Sequence, residues 1–448
     1  MTLREREPAA TSARPTGRPA TGRRTGRATV AEIVRAVTDG DLPVRITAYD
    51  GSGIGPADAG IGLHVRSPRG LSYLLTAPGE LGMARAYVSG DLEVTGVHPG
   101  DPYEALRLLK DELRLRRPSV AEAAALVRRL GWQRLLPPPP PAEEAPARWR
   151  RVTAGLRHSR SRDRSAISHH YDVSNAFYEL VLGPSMTYTC AVFRNPGDTL
   201  EQAQAAKYDL VAGKLGLKPG MRLLDVGCGW GGMVRHAARE YGVRALGVTL
   251  SRAQAEWAQA AIEREGLTGL AEVRHMDYRD APAEHFDAVS SIGLTEHIGV
   301  RNYPGYFAAL RERLRPGGRL LNHCITRADN RMPHRPGPFI DRYVFPDGEL
   351  AGPGRVISEM HDAGFEVQHE ENLRQHYALT LAAWCRNLVE HWDECVNEVG
   401  VGTARVWGLY MAGSRLSFER NAIQLHQVLG TRNGPAGDSG FPLRPDWT

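Results

Sequence analysis

The sequence predicts an α/β fold: a doubly wound sheet with a smaller α+β domain ahead of it. Three observations carry this. From about residue 200 onward, segments with strand and helix periodicity alternate. A glycine-rich turn, Asp225–Gly232, joins the first of these strands to a helix. Five consecutive prolines at 137–141 form a stiff spacer and mark a boundary between two domains.

In chain order, residues 1–27 hold seven Arg and two acids among Gly, Pro, Thr and Ala, with almost nothing to bury, so a disordered tail is expected. Residues 28–136 read as a small α+β N-terminal domain. ATVAEIVRAVTDG, DPYEALRLLKDELRL and SVAEAAALVRRL have helical spacing, while PVRITAYDGSG, IGLHVRSPRG and LSYLLT are strand candidates. Residues 137–165 form a Pro-rich and basic linker, with seven Arg and one Asp between 148 and 164. That stretch fits either a solvated arm or a patch for anionic lipid headgroups. It has no aromatic stripe of the kind single-stranded nucleic acid requires.

Residues 166–430 form the larger domain, and 431–448 a C-terminal tail. MRLLDVGCG, VRALGVTL, AEVRHMDY, FDAVSSIG and RLLNHCI read as strands. MVRHAAREYG is a helix ended by Gly242, and SRAQAEWAQAAIEREG a helix with Ser251 as candidate N-cap. Ligands of such a sheet bind at the carboxyl ends of its strands.

Composition excludes several classes. No run reaches the ~18–20 apolar residues of a membrane span. The five cysteines are odd in number and lack C-x-x-C spacing, against a disulfide framework or a zinc ribbon. With no apolar signal core in MTLREREPAA, a reducing cytoplasm is expected. The basic side chains are 52 Arg and 4 Lys, and a net charge of +5 over 448 residues is no nucleic-acid footprint. D-P-P-Y and N-P-P-Y, the motifs of DNA methylation, do not occur.

The turn Asp225-Val-Gly-Cys-Gly-Trp-Gly-Gly232 carries the cofactor argument. Glycines permit positive φ and close approach of a ligand to the main chain. Gly227, Gly229 and Gly232 also satisfy G-x-G-x-x-G, the dinucleotide spacing. Two details favour S-adenosylmethionine (SAM) instead: Asp225 stands two residues before the first glycine, and the second strand ends Gly247-Val-Thr-Leu-Ser251 without the acid an NAD site uses. The fold expected is therefore the Rossmann-like class I SAM-dependent methyltransferase. Many such enzymes place an acid there too, to hold the ribose. Here Thr249, Ser251 and Gln254 are the alternatives for that hydrogen bonding, with helix capping as the competing role of Ser251. Tyr278 and Arg279, at the next strand end, are candidates beside the adenine or plain surface residues.

Taken together, Ser168-His-His-Tyr-Asp-Val-Ser-Asn-Ala-Phe-Tyr178, Met186-Thr-Tyr-Thr-Cys-Ala191, DVGCGWGG, VTLS-AQ, DYRD, EHIG and a late Tyr before L-x-x-W resemble the cyclopropane-fatty-acyl-phospholipid synthases and the related mycolic acid methyltransferases. The resemblance spans roughly residues 160–430, and residues 28–116 resemble the N-terminal domain of the phospholipid-acting members. It implies attack of an alkene on the SAM methyl and a carbocation on an acyl chain. Proton loss then closes a cyclopropane or, after a hydride shift, leaves a methylene branch. It also implies a bicarbonate ion as base, held by Cys190, Glu296, His323, Ile325 and Tyr377. SAM contacts implied are Tyr188, Thr189, Asp225, Gly227, Gly229, Gly231, Thr249, Ser251, Gln254, Tyr278 and Arg279. Thr189 stands where the family commonly has Ser.

Thr295 stands where the family usually has an aromatic residue. With NHCITRADN and DRYVFPDGEL, this resembles the branch linked to 10-methyl fatty acids. A small Thr295 beside Glu296 is expected to let the cation turn, giving a 10-methylene chain from an oleoyl phospholipid. Saturating that product would need a separate reductase, because no second nucleotide-binding motif is present. The implied partners are an unsaturated phospholipid and the inner face of the cell membrane, with peripheral docking; a homo-oligomer is left open and nucleic acid is not expected. A small-molecule methyltransferase and a non-catalytic lipid-binding protein are the competing readings. The Cys190/His323/Tyr377 set argues against the first and the intact glycine turn against the second.

Overall fold

A computed structural model describes residues 26–145, 174–283 and 285–447. The basic stretch 148–164, nearly all of the 1–27 tail and the start of the Ser168–Tyr178 motif lie outside the described residues.

The N-terminal domain opens with α1 (Val30–Val37), started by a Thr29/Glu32 capping box. Its strands are β1 (Thr38–Asp39), β2 (Arg45–Ala48), β3 (Gly53–Ile54), β4 (Gly62–Val65), β5 (Leu92–Thr95) and β6 (Arg114–Leu115). Four form a sheet in the order β3-β2-β4-β5, and β1 pairs with β6. The helices are α2 (Pro68–Thr76), α3 (Glu80–Val88), α4 (Tyr103–Asp111) and α5 (Val120–Leu130). LSYLLT, expected as a strand, lies in α2. The Ser67 side chain accepts from Arg69 N and Gly70 N and Pro68 occupies the first turn, so a strong helix start outweighs the β propensity of the run.

The larger domain begins with α6 (Asn175–Leu182) and α7 (Leu200–Leu215). Alternating elements follow: β7 (Arg222–Val226), α8 (Gly232–Tyr241), β8 (Arg244–Thr249), α9 (Arg252–Arg264), β9 (Ala271–His275), β10 (Phe286–Ile292), α10 (Thr295–Ile298), α11 (Tyr303–Arg313) and β11 (Leu314–Arg327). Then come α12 (Pro353–Asp362), β12 (Glu366–Asn372), α13 (Arg374–Glu390), α14 (Trp392–Glu419) and β13 (Ile423–Thr431). The seven strands run in the order β12-β13-β11-β10-β7-β8-β9. β7 to β11 pair in parallel, and β13 is antiparallel to both β11 and β12. This is the doubly wound α/β sheet the sequence predicts, with two antiparallel strands added at one edge.

The two domains share a core. Ala84 and Val88 of α3 belong to the same apolar cluster as Phe177, Trp384, Trp407 and Met411. The proline run and the chain after it are pinned to both sides. Tyr73 Oη donates to Pro139 O at 2.6 Å and Ala145 N to Arg342 O at 2.8 Å. Between them the buried Glu144 carboxylate pairs with Arg85 at 2.6 Å and with Arg342. The tail also returns: Phe441 and Trp447 pack against the sheet core, with Trp447 edge-on to His369 at 5.0 Å.

Candidate active site

The glycine turn lies at the carboxyl end of β7. Gly227, Gly229 and Gly231 have φ of 72°, 55° and 73°, the left-handed region where a Cβ is unfavourable. A Cβ at Gly227 would press on Leu294 at 3.1 Å, whereas one at Gly229 would enter open space with nothing within 4 Å among the described residues. The turn therefore leaves a bare stretch of backbone for a ligand at Gly229. Asp225 is buried and accepts from Ser290 Oγ at 2.6 Å; burial pushes its carboxyl up, against the pull of that bond and of Lys207.

At the end of β8 three candidates hold one another. Thr249 Oγ1 donates to Gln254 Oε1 at 2.9 Å, Ser251 N donates to Thr249 Oγ1 at 3.3 Å and Gln254 N donates to Ser251 Oγ at 3.3 Å. Ser251 is thus the N-cap of α9. Arg279 is tied to Asp277, its Nε 2.8 Å from Oδ1, and Tyr278 packs edge-on against Tyr306 at 5.1 Å.

The candidate base residues converge from four elements. Glu296 on α10 accepts from Ile325 N of β11 through Oε1 at 2.8 Å. The Ile325 main-chain donor is thereby already engaged. Glu296 Oε2 is buried with no hydrogen-bond partner among the described residues. Burial pushes this carboxyl up to about 7, against the Ile325 bond. Thr189 Oγ1 lies 3.1 Å from His323 Nε2. Burial, with Lys207 and Lys214 nearby, drives the His323 pKa well down, so the ring is neutral. Cys190 is fully buried, its thiol pushed up by that burial and directed at Ala191 O at 3.1 Å. Tyr377 on α13 stacks on Phe418 at 4.5 Å, and Tyr188 Oη donates to Tyr410 Oη at 3.0 Å.

A cavity of about 620 Å³ joins most of these groups. Tyr188, Thr189, Glu296, Ile325 and Tyr377 line it together with Met83, Leu106 and Leu109 of the N-terminal domain. Cys190 and His323 lie behind this wall, each with no exposed surface. Thr295 does not line the cavity. Its hydroxyl is buried and donates to Asn322 Oδ1 at 2.6 Å, so the expectation that its small size opens room beside the reacting centre is corrected: the side chain points into the sheet.

Two functional candidates escaped the sequence reading. Lys207 is fully buried, its Nζ unpartnered among the described residues and 3.4 Å from the centre of the Tyr208 ring. Burial pushes its pKa down, and Asp225 opposes this. Lys214, also fully buried, reaches Gln427 Oε1 at 2.7 Å. One signal was available: both belong to the four lysines of a chain that otherwise uses arginine, which is far harder to bury without a matched partner. Among the described residues no group of His, Cys, Asp and Glu is placed to hold a metal, and no helix is long and apolar enough to cross a membrane.

Known proteins resemble this chain over much of its length. A probable fatty acid methyltransferase of Mycobacterium tuberculosis, Rv3720, is 62% identical over 94% of this chain and 99% of its own length. The cyclopropane-fatty-acyl-phospholipid synthase of Escherichia coli K12 is 36% identical over 59% of this chain and 68% of its own. The crystal structure of mycolic acid cyclopropane synthase CmaA1, complexed with SAH and CTAB, superposes with a TM-score of 0.56 at 32% identity, over 60% of this chain and 97% of that one. The sequence profile of the mycolic acid cyclopropane synthetase family matches residues 158–428, a span that takes in the glycine turn, Glu296, His323 and Tyr377. The chain is a SAM-dependent methyltransferase and belongs to that family.

Proposed function

We propose that this enzyme transfers a one-carbon unit from SAM to the cis double bond of an unsaturated phospholipid acyl chain, such as oleoyl, and leaves a 10-methylene branch. The observation that carries the reading is the cavity, whose lining joins apolar side chains of the N-terminal domain to Glu296, Ile325, Thr189 and Tyr377. An alkene is a weak nucleophile, so its site must be dry and must align the double bond with the methyl donor. The apolar lining supplies the first condition, and the open approach at Gly229 lets SAM reach the sheet end. The similarity over 94% of the chain to a protein named a probable fatty acid methyltransferase supports a fatty acyl acceptor.

Bicarbonate, when bound, would act as the base for the proton lost from the acyl chain. The residues fit such an anion. Glu296 Oε2 is a buried oxygen in want of a partner, and a carboxyl pushed up to about 7 carries a proton to share near neutrality. Phospholipid access requires peripheral docking on the bilayer. Leu115, one of the lining residues, is 73% exposed, which supports entry of lipid past this side chain.

A ring product is the second reading. Because Thr295 is turned away from the cavity, the departure from the family's aromatic residue has no direct contact with a reacting chain. The test incubates the purified chain with SAM and oleoyl phospholipid vesicles and takes proton NMR of the fatty acids formed. Exocyclic methylene signals in the alkene region, lost only when a reductase is added, are the expected result. Upfield ring signals as the main product would replace the branch by a cyclopropane, and no product at all would overturn the lipid reading.

A further inference from the structure

Five side chains form a continuous polar line through the interior of the larger domain. Lys214 of α7 donates through Nζ to the Glu371 carboxylate on β12 and to Gln427 Oε1 on β13 at 2.7 Å. Gln427 stands opposite His323 in the β11–β13 pairing, and its Nε2 lies 3.2 Å from His323 Nδ1. His323 Nε2 lies 3.1 Å from Thr189 Oγ1. The Lys214, Gln427 and His323 side chains have no exposed surface, and Glu371 is the member that reaches solvent.

Donor and acceptor chemistry orders this line. An ammonium has only donors, so Gln427 must turn its carbonyl oxygen to Lys214 and its NH₂ to the ring. His323 Nδ1 must then accept. A neutral imidazole carries a single N–H, which is left on Nε2, facing Thr189. Thr189 Oγ1 accepts the hydrogen bond from Nε2–H, so its own hydroxyl hydrogen is free to point toward the cavity it lines. Every hydrogen bond from Lys214 onward thus points the same way, from a buried cation to the cavity. Such a line strengthens its last donor and suits an acceptor or anion at its end.

We propose that Lys214 and Gln427 are positioning residues that fix the Nε2–H form of His323 and so aim the Thr189 hydroxyl at an anionic or acceptor group bound beside Glu296. The kinetic part rests on the lipid reading above; the tautomer does not.

The test is nitrogen NMR of the full chain labelled with ¹⁵N-histidine. The wild-type spectrum should show His323 protonated on Nε2 and bare on Nδ1, and it needs neither a variant nor a substrate. Gln427→Glu replaces the donor facing Nδ1 by an acceptor, so the proton should move to Nδ1. Turnover on oleoyl phospholipid vesicles should then fall about 10- to 100-fold, taking as a guide the effect of losing a partner that orients a metal-bound histidine, with SAM affinity unchanged. Lys214→Met frees the Gln427 amide to flip and should give a mixture of the two tautomers. A wild-type ring protonated on Nδ1 would overturn the proposal. So would an unchanged tautomer in Gln427→Glu, or a changed tautomer with unchanged turnover. If the wild type shows the Nε2–H ring yet makes no lipid product, the functional reading fails and the tautomer assignment stands.

Discussion

Ile325 N donates to Glu296 Oε1 at 2.8 Å, while Oε2 of the same carboxyl is buried without a partner among the described residues. One oxygen is anchored and the other is held ready, at the wall of an apolar cavity. This arrangement suits a group that binds a ligand rather than one that stabilises the fold, because an unpartnered buried polar atom costs stability.

The first prediction follows from that cost. Burial raises the Glu296 carboxyl from 4.5 to about 7, so the folded state holds its proton more tightly than the unfolded chain. Its contribution to stability is full below pH 4.5 and is lost as pH rises through about 7. Glu296→Gln keeps an acceptor for Ile325 and cannot ionise. Its unfolding free energy should match wild type in acid and exceed it by about 2–3 kcal/mol at pH 8. Turnover should drop ~10²–10⁴-fold if the carboxyl moves or shares a proton in the reaction. Urea titrations at several pH values measure the first effect, and a stability difference that does not grow with pH would refute it.

The second prediction concerns the open backbone at Gly229. Alanine there has no clash within 4 Å, so the folded protein should survive with about 1–2 kcal/mol of left-handed strain. If SAM lies against this turn, the added methyl takes space the cofactor needs. Calorimetry should show SAM affinity reduced at least about tenfold, the equivalent of some 1.4 kcal/mol. Undiminished affinity would remove the turn from the binding site.

The third prediction tests the latch between the domains. Glu144 has a fully buried carboxylate shared by Arg85 and Arg342, with Tyr343 Oη also donating to it at 3.2 Å. Removing the acid leaves two half-sequestered guanidinium groups uncompensated. Glu144→Ala should cost about 3–5 kcal/mol, the range for breaking a buried ion pair from one side. A loss under about 1 kcal/mol in denaturant unfolding would show that solvent already screens the cluster.

What the sequence made legible was local. The Asp225–Gly232 turn declares itself because strand, glycines and helix are adjacent, and Ser251 and Gly242 mark helix ends through their own caps. β12 was missed because EVQHEEN is a polar strand at the sheet edge, with no alternation of buried and exposed residues to read. β13 was missed because it follows the long helical stretch of α14, which kinks at Gly400, and joins the sheet antiparallel, outside the strand–helix alternation. The Glu296, Ile325, Thr189 and Tyr377 cluster comes from separate elements, so no spacing rule could assemble it and only the family resemblance brought its members together. The line from Lys214 to Thr189 was invisible for the same reason: Lys214 on α7 and Gln427 on β13 are 213 positions apart and meet only in the folded chain, and strand pairing then sets Gln427 beside His323.

The last prediction separates two explanations of the product. If the Thr295 hydroxyl steered the cation, deleting it would change the ratio of methylene to ring. The structure argues otherwise. Thr295 is fully buried, its hydroxyl donates to Asn322 Oδ1 at 2.6 Å, and Asn322 Nδ2 in turn donates to Cys324 Sγ at 3.3 Å. Thr295→Val keeps the shape and deletes the donor, leaving Asn322 Oδ1 short of a partner. Stability should fall by about 1–3 kcal/mol, while the product ratio, read by proton NMR, stays at the wild-type value. Met83 and Leu106, which line the cavity directly, are the contrasting sites. Trimming either to Ala should change how the acyl chain is seated and so change turnover more than Thr295→Val does. A product ratio that shifts in Thr295→Val would show that α10 transmits the change to Glu296, its immediate neighbour in the chain, and would return Thr295 to the control of the reaction.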